Sequence, residues 1–191
     1  MVGGENLGKR YGDRWLFRHL SFEVTPGECL VLVGRNGSGK STLLKILAGL
    51  APPSEGSAKR PDDVRTGLGY AALDQAVYPN LTVAEHLDLA ASLRGCQART
   101  MDLLEEVGLA YASAFPARTL STGMRARLKL ALAVQADPKV ILLDEPGAGL
   151  DAAGLETLAS VLDKRLPQTA VVIATNDPAE RRFATHELEL V

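Results

Sequence analysis

The stretch CLVLVGRNGSGKST, residues 29–42, determines how this chain can fold. Its first part, Cys29–Val33, is an unbroken apolar run, which is typical of a strand buried on both faces of a sheet. A glycine-rich loop follows. From Lys40 to Ala48 the apolar residues then recur at helical spacing, with Gly49 placed to end the helix. The sequence therefore predicts a strand, a glycine-rich loop and a helix in direct succession.

The loop fits the pattern G-x-x-x-x-G-K-[ST], which between a strand and a helix binds nucleotide phosphates. Glycines allow consecutive N–H groups to point inward, and the start of the helix adds unpaired N–H groups and the positive end of its dipole. We expect Lys40 to contact the β and γ phosphates and the Ser41 hydroxyl to bind Mg²⁺. The predicted phosphate-binding residues are Gly34, Arg35, Asn36, Gly37, Ser38, Gly39, Lys40, Ser41 and Thr42.

Two adjacent carboxylates follow a second apolar run, Val140–Leu143. In open α/β sheets ligands bind outside the carboxyl ends of the strands, so Asp144 and Glu145 are expected at the phosphate site. Asp144 would hold Mg²⁺, directly or through water, and Glu145 would orient and deprotonate a water near the γ-phosphate. Taken alone, the pair could equally be a solvated acidic turn; the glycine-rich loop favours the catalytic interpretation.

Composition and charge exclude several classes of protein. The chain has 191 residues, of which 46% are apolar and 23% are charged, as is usual for one globular domain. A net charge of −2 argues against binding through bulk positive charge, so no nucleic-acid partner is expected. No apolar run approaches the roughly 20 residues of a membrane-spanning helix, and the start of the chain does not resemble a signal peptide.

Predicted strands and helices alternate, which indicates an α/β fold with a largely parallel sheet covered on both faces. A capping box at Thr82–Glu85 begins a helix that ends near Arg94. With a second helix it makes residues 76–118 a helical subdomain inserted in a core of residues 1–75 and 119–191. Further predicted strands are Leu20–Val24, Ala170–Thr175 and Glu187–Val191, and further predicted helices are Ala98–Val107, Ser121–Ala136 and Ala152–Arg165.

A second anion-binding feature begins the helix that starts near residue 121. Ser121 and Gly123 offer a hydroxyl and free N–H groups at a helix start. The simpler alternative is that Ser121 only caps its own helix. Further along, Arg125, Arg127 and Lys129 form either a solvated helix face or a source of positive charge for a partner's phosphates.

Over essentially its whole length the sequence resembles an ABC-type ATPase subunit. The strings GRNGSGKST, LSTGMRARL, VILLDEP and AGLD occur in that family's order and at roughly its spacing. The resemblance implies a P-loop NTPase (RecA-like) core with N-terminal antiparallel strands, ATP and Mg²⁺ as ligands, and two copies that enclose two ATP molecules head to tail. Ser121 and Gly123 would contact the γ-phosphate of ATP in the second copy, Asp151 would cross the same interface, and Tyr11 would stack on adenine.

Two positions depart from the family's pattern. The family has a glutamine after the third aligned strand, where it touches Mg²⁺ and the membrane partner; Leu73 stands at that position here, and Gln75 is the substitute that we favour. The family also has a switch histidine after the last core strand, where this chain has Asn176. An amide can hydrogen-bond a γ-phosphate but carries no positive charge, so we expect slower hydrolysis than with histidine.

The resemblance implies the ATP-hydrolysing subunit of a membrane transporter. The LSTGM string, Asn176 and the small size resemble exporter ATPases such as the haem-exporter ATPase of cytochrome c maturation. Such a subunit couples ATP-driven dimerisation to movement of separate integral membrane permease subunits, which hold it at the cytoplasmic face of the cell membrane. The alternative is a soluble ABC ATPase that acts as a nucleotide-gated clamp without a membrane partner. A P-loop kinase would lack the helix at Ser121.

Overall fold

The computed structural model describes residues 1–191 and contains eight strands, six α-helices and four short 3₁₀ turns. The strands are β1 (Val2–Tyr11), β2 (Arg14–Val24), β3 (Cys29–Gly34), β4 (Glu55–Lys59), β5 (Leu68–Ala71), β6 (Val140–Asp144), β7 (Ala170–Ala174) and β8 (His186–Leu190). The helices are α1 (Lys40–Leu47), α2 (Val64–Gly67), α3 (Val83–Arg94), α4 (Thr100–Glu106), α5 (Thr122–Val134) and α6 (Ala152–Arg165).

Five strands form one parallel sheet in the order β5-β6-β7-β3-β8. Their side chains alternate between its faces: Val31 and Ile141 belong to one hydrophobic core, whereas Leu30 and Leu142 belong to the other. Because both faces are covered, these strands need apolar side chains at consecutive positions. This explains their unbroken apolar runs and confirms the predicted α/β class with a largely parallel sheet.

A separate antiparallel sheet has the strand order β2-β1-β4. The apolar pattern predicts only its segment Leu20–Val24, whereas β2 begins at Arg14. The strand β1 escapes that pattern because it contains glycines and because register shifts interrupt its pairing with β2. A Cβ at Gly3 would overlap the Phe22 carbonyl oxygen, so glycine permits the close approach of these strands.

The two faces of the parallel sheet are covered by different elements. The helix α1 and the antiparallel sheet lie on one face, where Leu43, Leu44 and Leu47 are fully buried. The helices α3 to α6 lie on the other face. The glycine-rich loop between β3 and α1 therefore lies at the carboxyl edge of the sheet, where the two layers meet.

The ends of the helices follow the sequence signals. Thr82 and Glu85 form the complete capping box, in which the Thr82 hydroxyl accepts from Glu85 N–H and the Glu85 carboxylate accepts from Thr82 N–H. Gly49 follows α1 with a φ of 78°, in the left-handed region that favours glycine. The predicted helices are therefore confirmed, with bounds that differ by a few residues.

The inserted helices α3 and α4 share a hydrophobic core with the parallel sheet. Leu87 of α3 and Leu104 of α4 belong to the same buried cluster as Ile141 and Leu143 of β6. A bidentate ion pair also joins α4 to α6: Arg165 at the end of α6 donates to Glu106 of α4 at 2.7 and 2.8 Å. No helix of the structure is both long enough and apolar enough to cross a lipid bilayer.

We expect the change Glu106→Gln to lower the free energy of unfolding by about 1–3 kcal/mol, since it weakens a charge-assisted hydrogen-bonded pair. The hydrogen bond from Arg165 lowers the pKa of Glu106 from its ordinary value of 4.5. The stabilisation is therefore fully present above that value and is lost as the pH falls through the lowered pKa. Urea unfolding at pH 7 and at a series of lower pH values measures both effects.

The exposed neighbour Lys164, whose Nζ lies 3.6 Å from Glu106, provides the matched control. The change Lys164→Ala should alter stability by less than about 1 kcal/mol. An equal loss in both variants at pH 7, or a loss in Glu106→Gln that does not shrink at any pH below 4.5 down to acid unfolding, would contradict the role given to the Glu106–Arg165 pair.

Candidate nucleotide-binding site

The loop between β3 and α1 presents the free N–H groups of a helix start. The helix begins directly after Gly39, whose φ of 104° favours glycine. No side chain caps this end of α1, so its first N–H groups are available to an anion. A Cβ at Gly39 would lie 3.1 Å from the Phe17 ring, which leaves little room for any larger residue.

The side chain of Lys40 is buried inside this loop, with 7% of the residue exposed. Its Nζ donates to the carbonyl oxygens of Gly34 at 2.7 Å and Arg35 at 3.4 Å, and to Oδ1 of Asn176 at 3.1 Å. Hydrogen bonds from an ammonium to charged phosphate oxygens are stronger than those to neutral carbonyls. Lys40 can therefore exchange these partners for the phosphates of a nucleotide.

Asn176, directly after Thr175 and β7, connects three other predicted site residues. Besides accepting from Lys40, it donates through Nδ2 to Oδ1 of Asn36 at 2.7 Å and to Oε1 of Glu145 at 3.4 Å. A side-chain amide has an oxygen that accepts hydrogen bonds and an NH₂ group that donates two. The Asn176 side chain can therefore bind an ammonium and a carboxylate at the same time. The structure thus joins residues as far as 140 positions apart in the sequence.

Asp144, the last residue of β6, is 8% exposed. Burial raises the pKa of its carboxyl, whereas a hydrogen bond with Ser41 lowers it. A desolvated carboxylate beside a hydroxyl supplies the hard oxygen ligands that Mg²⁺ prefers, so these two residues fit the ion.

Glu145 has a backbone conformation that is uncommon outside glycine, with a φ of 49°. Its N–H donates to the carbonyl oxygen of Ala174 at 2.8 Å, and its Oε2 accepts from the Thr175 hydroxyl at 3.4 Å. Such conformations concentrate at functional sites, where surrounding contacts hold them in place. Here the Glu145 carboxylate lies within hydrogen-bond distance of the Asn176 amide.

An open groove of about 340 Å³ joins Tyr11 to the phosphate loop. The exposed Tyr11 ring stands on one side, at the end of β1, and Glu145 stands on another. The ammonium of Lys9 lies 5.1 Å from the centre of the Tyr11 ring. Other residues that line the groove are Asn36, Gly37, Gly39, Lys40, Ser41 and Thr42. Tyr11 and the phosphate loop thus line the same groove, so a nucleotide could stack its base on Tyr11 while its phosphates reach the loop.

Gln75 does not hydrogen-bond to the site residues Lys40, Asn176 or Glu145. Its side-chain Oε1 accepts only from the Ala72 N–H, at 3.4 Å. The neighbouring Asp74 lies closer to the charges of the site: it pairs with Lys45 of α1 at 2.9 Å, and its charge raises the pKa of Asp144. Asp74 was not predicted from the sequence. Its signal was its position directly after Leu73, where the chain departs from the family's pattern.

The three basic residues of α5 donate hydrogen bonds to backbone carbonyl oxygens, and Arg125 is also exposed to solvent. Lys129 donates to the carbonyl oxygen of Leu73 at 2.7 Å, Arg125 to that of Leu120 at 2.6 Å, and Arg127 to that of Gly108 at 3.1 Å. Each cation therefore fixes a neighbouring loop to the helix. Lys129 in particular holds the loop after β5 in its present position.

Ser121, Gly123 and Asp151 lie outside the groove that contains Lys40. The Ser121 hydroxyl caps α5 by accepting from Met124 N–H at 3.2 Å, and the Asp151 carboxylate caps α6 by accepting from Gly154 N–H at 2.8 Å. Gly123 packs on the loop before α6, since a Cβ there would lie 3.0 Å from the Gly149 carbonyl oxygen. The capping role that was the simpler alternative for Ser121 is thus present.

Comparison with known proteins identifies relatives over nearly the whole chain. The family model described as "ABC transporter" matches residues 17–148. A cytochrome c biogenesis ATP-binding export protein of Hyphomonas neptunium is 38% identical over 191 residues, which cover 100% of this chain and 96% of that protein. The protein of the same name from Nitrosomonas europaea is 36% identical over 186 residues, covering 92% and 87%.

The fold is also similar to solved structures. A bacterial ABC transporter cassette, described as dimeric, superimposes with a TM-score of 0.89 at 25% identity and covers 100% of this chain and 94% of its own. The similarity confirms the predicted P-loop NTPase core, including its N-terminal antiparallel strands.

We expect the change Lys40→Ala to abolish the rise in melting temperature that Mg-ATP causes in the unchanged protein. A ligand at 100 times its dissociation constant stabilises a protein by about 2.7 kcal/mol, and loss of the ammonium removes a main partner of the phosphates. Thermal unfolding with and without Mg-ATP measures the shift. The surface variant Lys59→Ala should keep it; a shift that survives in Lys40→Ala would contradict the assignment of the loop.

Proposed function

Because this chain belongs to the ABC transporter family of ATP-binding subunits, we propose that two copies of it hydrolyse ATP at shared sites and drive export through separate membrane subunits. The chain is an ATPase subunit, as its family is. The observation that carries the detailed proposal is the hydrogen-bonded cluster of Lys40, Asn36, Asn176 and Glu145 at the mouth of the phosphate loop.

Each residue of the cluster has a chemical role in the proposal. Lys40 would leave the carbonyls of Gly34 and Arg35 and bind the β and γ phosphates. Asn176 would then donate to the γ-phosphate through its amide N–H. Glu145 would accept a proton from the attacking water and orient it in line with the departing diphosphate.

Ser41 and Asp144 would hold Mg²⁺, which neutralises charge on the phosphates when it is bound. The burial of Asp144 and its hydrogen bond with the Ser41 hydroxyl support this assignment. Gln75 would join them only after movement of the loop that Lys129 now holds. Tyr11 would stack on adenine at the open end of the groove.

A second copy of the chain would complete each site. In one copy Ser121, Gly123 and Asp151 stand apart from the groove, at or near the starts of α5 and α6. Helix starts favour anions, so Ser121 and Gly123 would meet the γ-phosphate of ATP held by the other copy, with Asp151 crossing the same interface. The dimeric state of the similar bacterial cassette supports this arrangement.

The membrane partner would contact the helical subdomain, residues 76–118, and the loop beside Gln75. Large apolar side chains are exposed there, including Leu73, Tyr78 and Leu93. Such a permease would hold the chain at the cytoplasmic face of the cell membrane. The names of the export proteins from Hyphomonas and Nitrosomonas support a role in cytochrome c biogenesis, with haem as the proposed cargo.

We expect the change Glu145→Gln to lower ATP turnover by about 10²- to 10⁴-fold, the usual scale for the loss of a positioned base. Binding of ATP should persist because the phosphate loop is intact. With saturating Mg-ATP the variant should sediment as a dimer in analytical ultracentrifugation. Unchanged turnover would contradict the role of Glu145, and a monomer at high concentration would contradict the shared site.

The change Asn176→His is expected to raise the rate of hydrolysis. An imidazole can carry positive charge beside the γ-phosphate, which the amide cannot. Steady-state phosphate release measures the effect. His186 lies at an exposed position on β8, so His186→Asn should leave the rate unchanged. A fall in rate, or no change, in Asn176→His would show that Asn176 does not act on the γ-phosphate.

A further inference from the structure

Glu180 is a buried carboxylate that the proposed chemistry does not use. It begins a short 3₁₀ turn, Glu180–Phe183, four residues after Asn176, and only 2% of the residue is exposed. Burial raises the pKa of its carboxyl, and the nearby charges of Glu145 and Asp177 act in the same direction. A buried carboxyl is costly unless its hydrogen bonds compensate for lost water, so its contacts must be accounted for.

The contacts of Glu180 lead to the loop between Glu145 and Asp151. Its Oε1 accepts from the Gly147 N–H at 2.7 Å, and its Oε2 is fully buried without a protein partner. The contact is so close that a Cβ at Gly147 would overlap Oε1. One side chain therefore fixes the middle of that loop to the turn that follows Asn176.

The same loop also touches the start of α5. A Cβ at Gly149 would overlap or crowd Thr122, and the Gly149 carbonyl oxygen lies against Gly123. On the other side, Glu145 at the head of the loop hydrogen-bonds to Asn176. Glu180 thus lies between the cluster that faces a chain's own nucleotide and the helix start that would face the partner's nucleotide.

We propose that Glu180 is a positioning residue, which makes the loop 145–151 and the turn 175–183 move as one unit. Nucleotide bound at one site then sets the position of Gly123 and Asp151, which complete the site of the other copy. This inference rests on the proposed dimer, because Glu180 touches neither nucleotide. It gives Glu180 an effect on assembly and turnover and none on the affinity of a single chain for ATP.

The test uses the full chain in the Glu145→Gln background, where hydrolysis does not interfere. Adding Glu180→Ala should weaken the Mg-ATP-dependent dimer roughly 2- to 30-fold, the range of coupling changes that such residues cause. ATP affinity of the monomer should stay within about twofold. Adding Glu180→Gln, which keeps an oxygen acceptor for Gly147 N–H, should restore most of the dimer affinity.

A control and a second route exclude a general loss of structure. The exposed Glu105 of α4, which does not contact this turn, should tolerate Glu105→Ala without any change in dimerisation. The change Gly147→Ala should displace the Glu180 carboxylate by overlap and weaken the dimer as Glu180→Ala does, even if the latter variant folds poorly. In chains that keep Glu145, Glu180→Ala and Gly147→Ala should each lower kcat and leave KM for ATP nearly constant.

Distinct outcomes separate this inference from the proposed function. If the Glu145→Gln parent stays monomeric with Mg-ATP, the shared site is wrong and the inference is overturned with it. If the parent dimerises and Glu180→Ala and Gly147→Ala dimerise equally well, only the positioning role is overturned. Equal weakening by Glu180→Gln and Glu180→Ala would also overturn it, because the acceptor for Gly147 would then be irrelevant.

Discussion

The adjacency of three parallel strands is the constraint on which the rest of the structure depends. The strands β6, β7 and β3 lie side by side, so the residues that follow them meet at one edge of the sheet. Lys40 follows β3 by way of the glycine-rich loop. Asp144 ends β6 and Glu145 follows it, and Asn176 comes shortly after β7. The strand order alone therefore brings together residues that are up to 140 positions apart in the sequence.

Much of this arrangement can be predicted from sequence because its signals are local. Apolar runs identify β3, β6 and β7, and the capping box identifies the start of α3, since both reflect neighbours within a few residues. The strand β1 could not be found this way, because its glycines give no apolar signal, although Gly3 is needed for the close approach to Phe22 of β2. The side-chain partners of Gln75, Asp74 and Lys129 likewise depend on how a loop without regular structure packs on α1 and α5.

The start of α1 differs from the starts of α5 and α6 in a way that fits the proposed site shared by two copies. The start of α1 has no side-chain cap and faces the groove, so its N–H groups suit an anion within the same chain. The starts of α5 and α6 are capped by Ser121 and Asp151, which stand outside that groove. Residues of one family pattern are thus divided between two surfaces, as a site assembled from two copies requires.

The use of an amide at Asn176 has a consequence for the environment in which the site can work. Asn176 serves an ammonium through its oxygen and a carboxylate through its nitrogen, and neither hydrogen bond requires the side chain to gain or lose a proton. An imidazole there would change charge between about pH 5 and 8. The charge of the side chain at position 176 therefore does not vary with the surrounding pH, as it would if this contact were made by an imidazole.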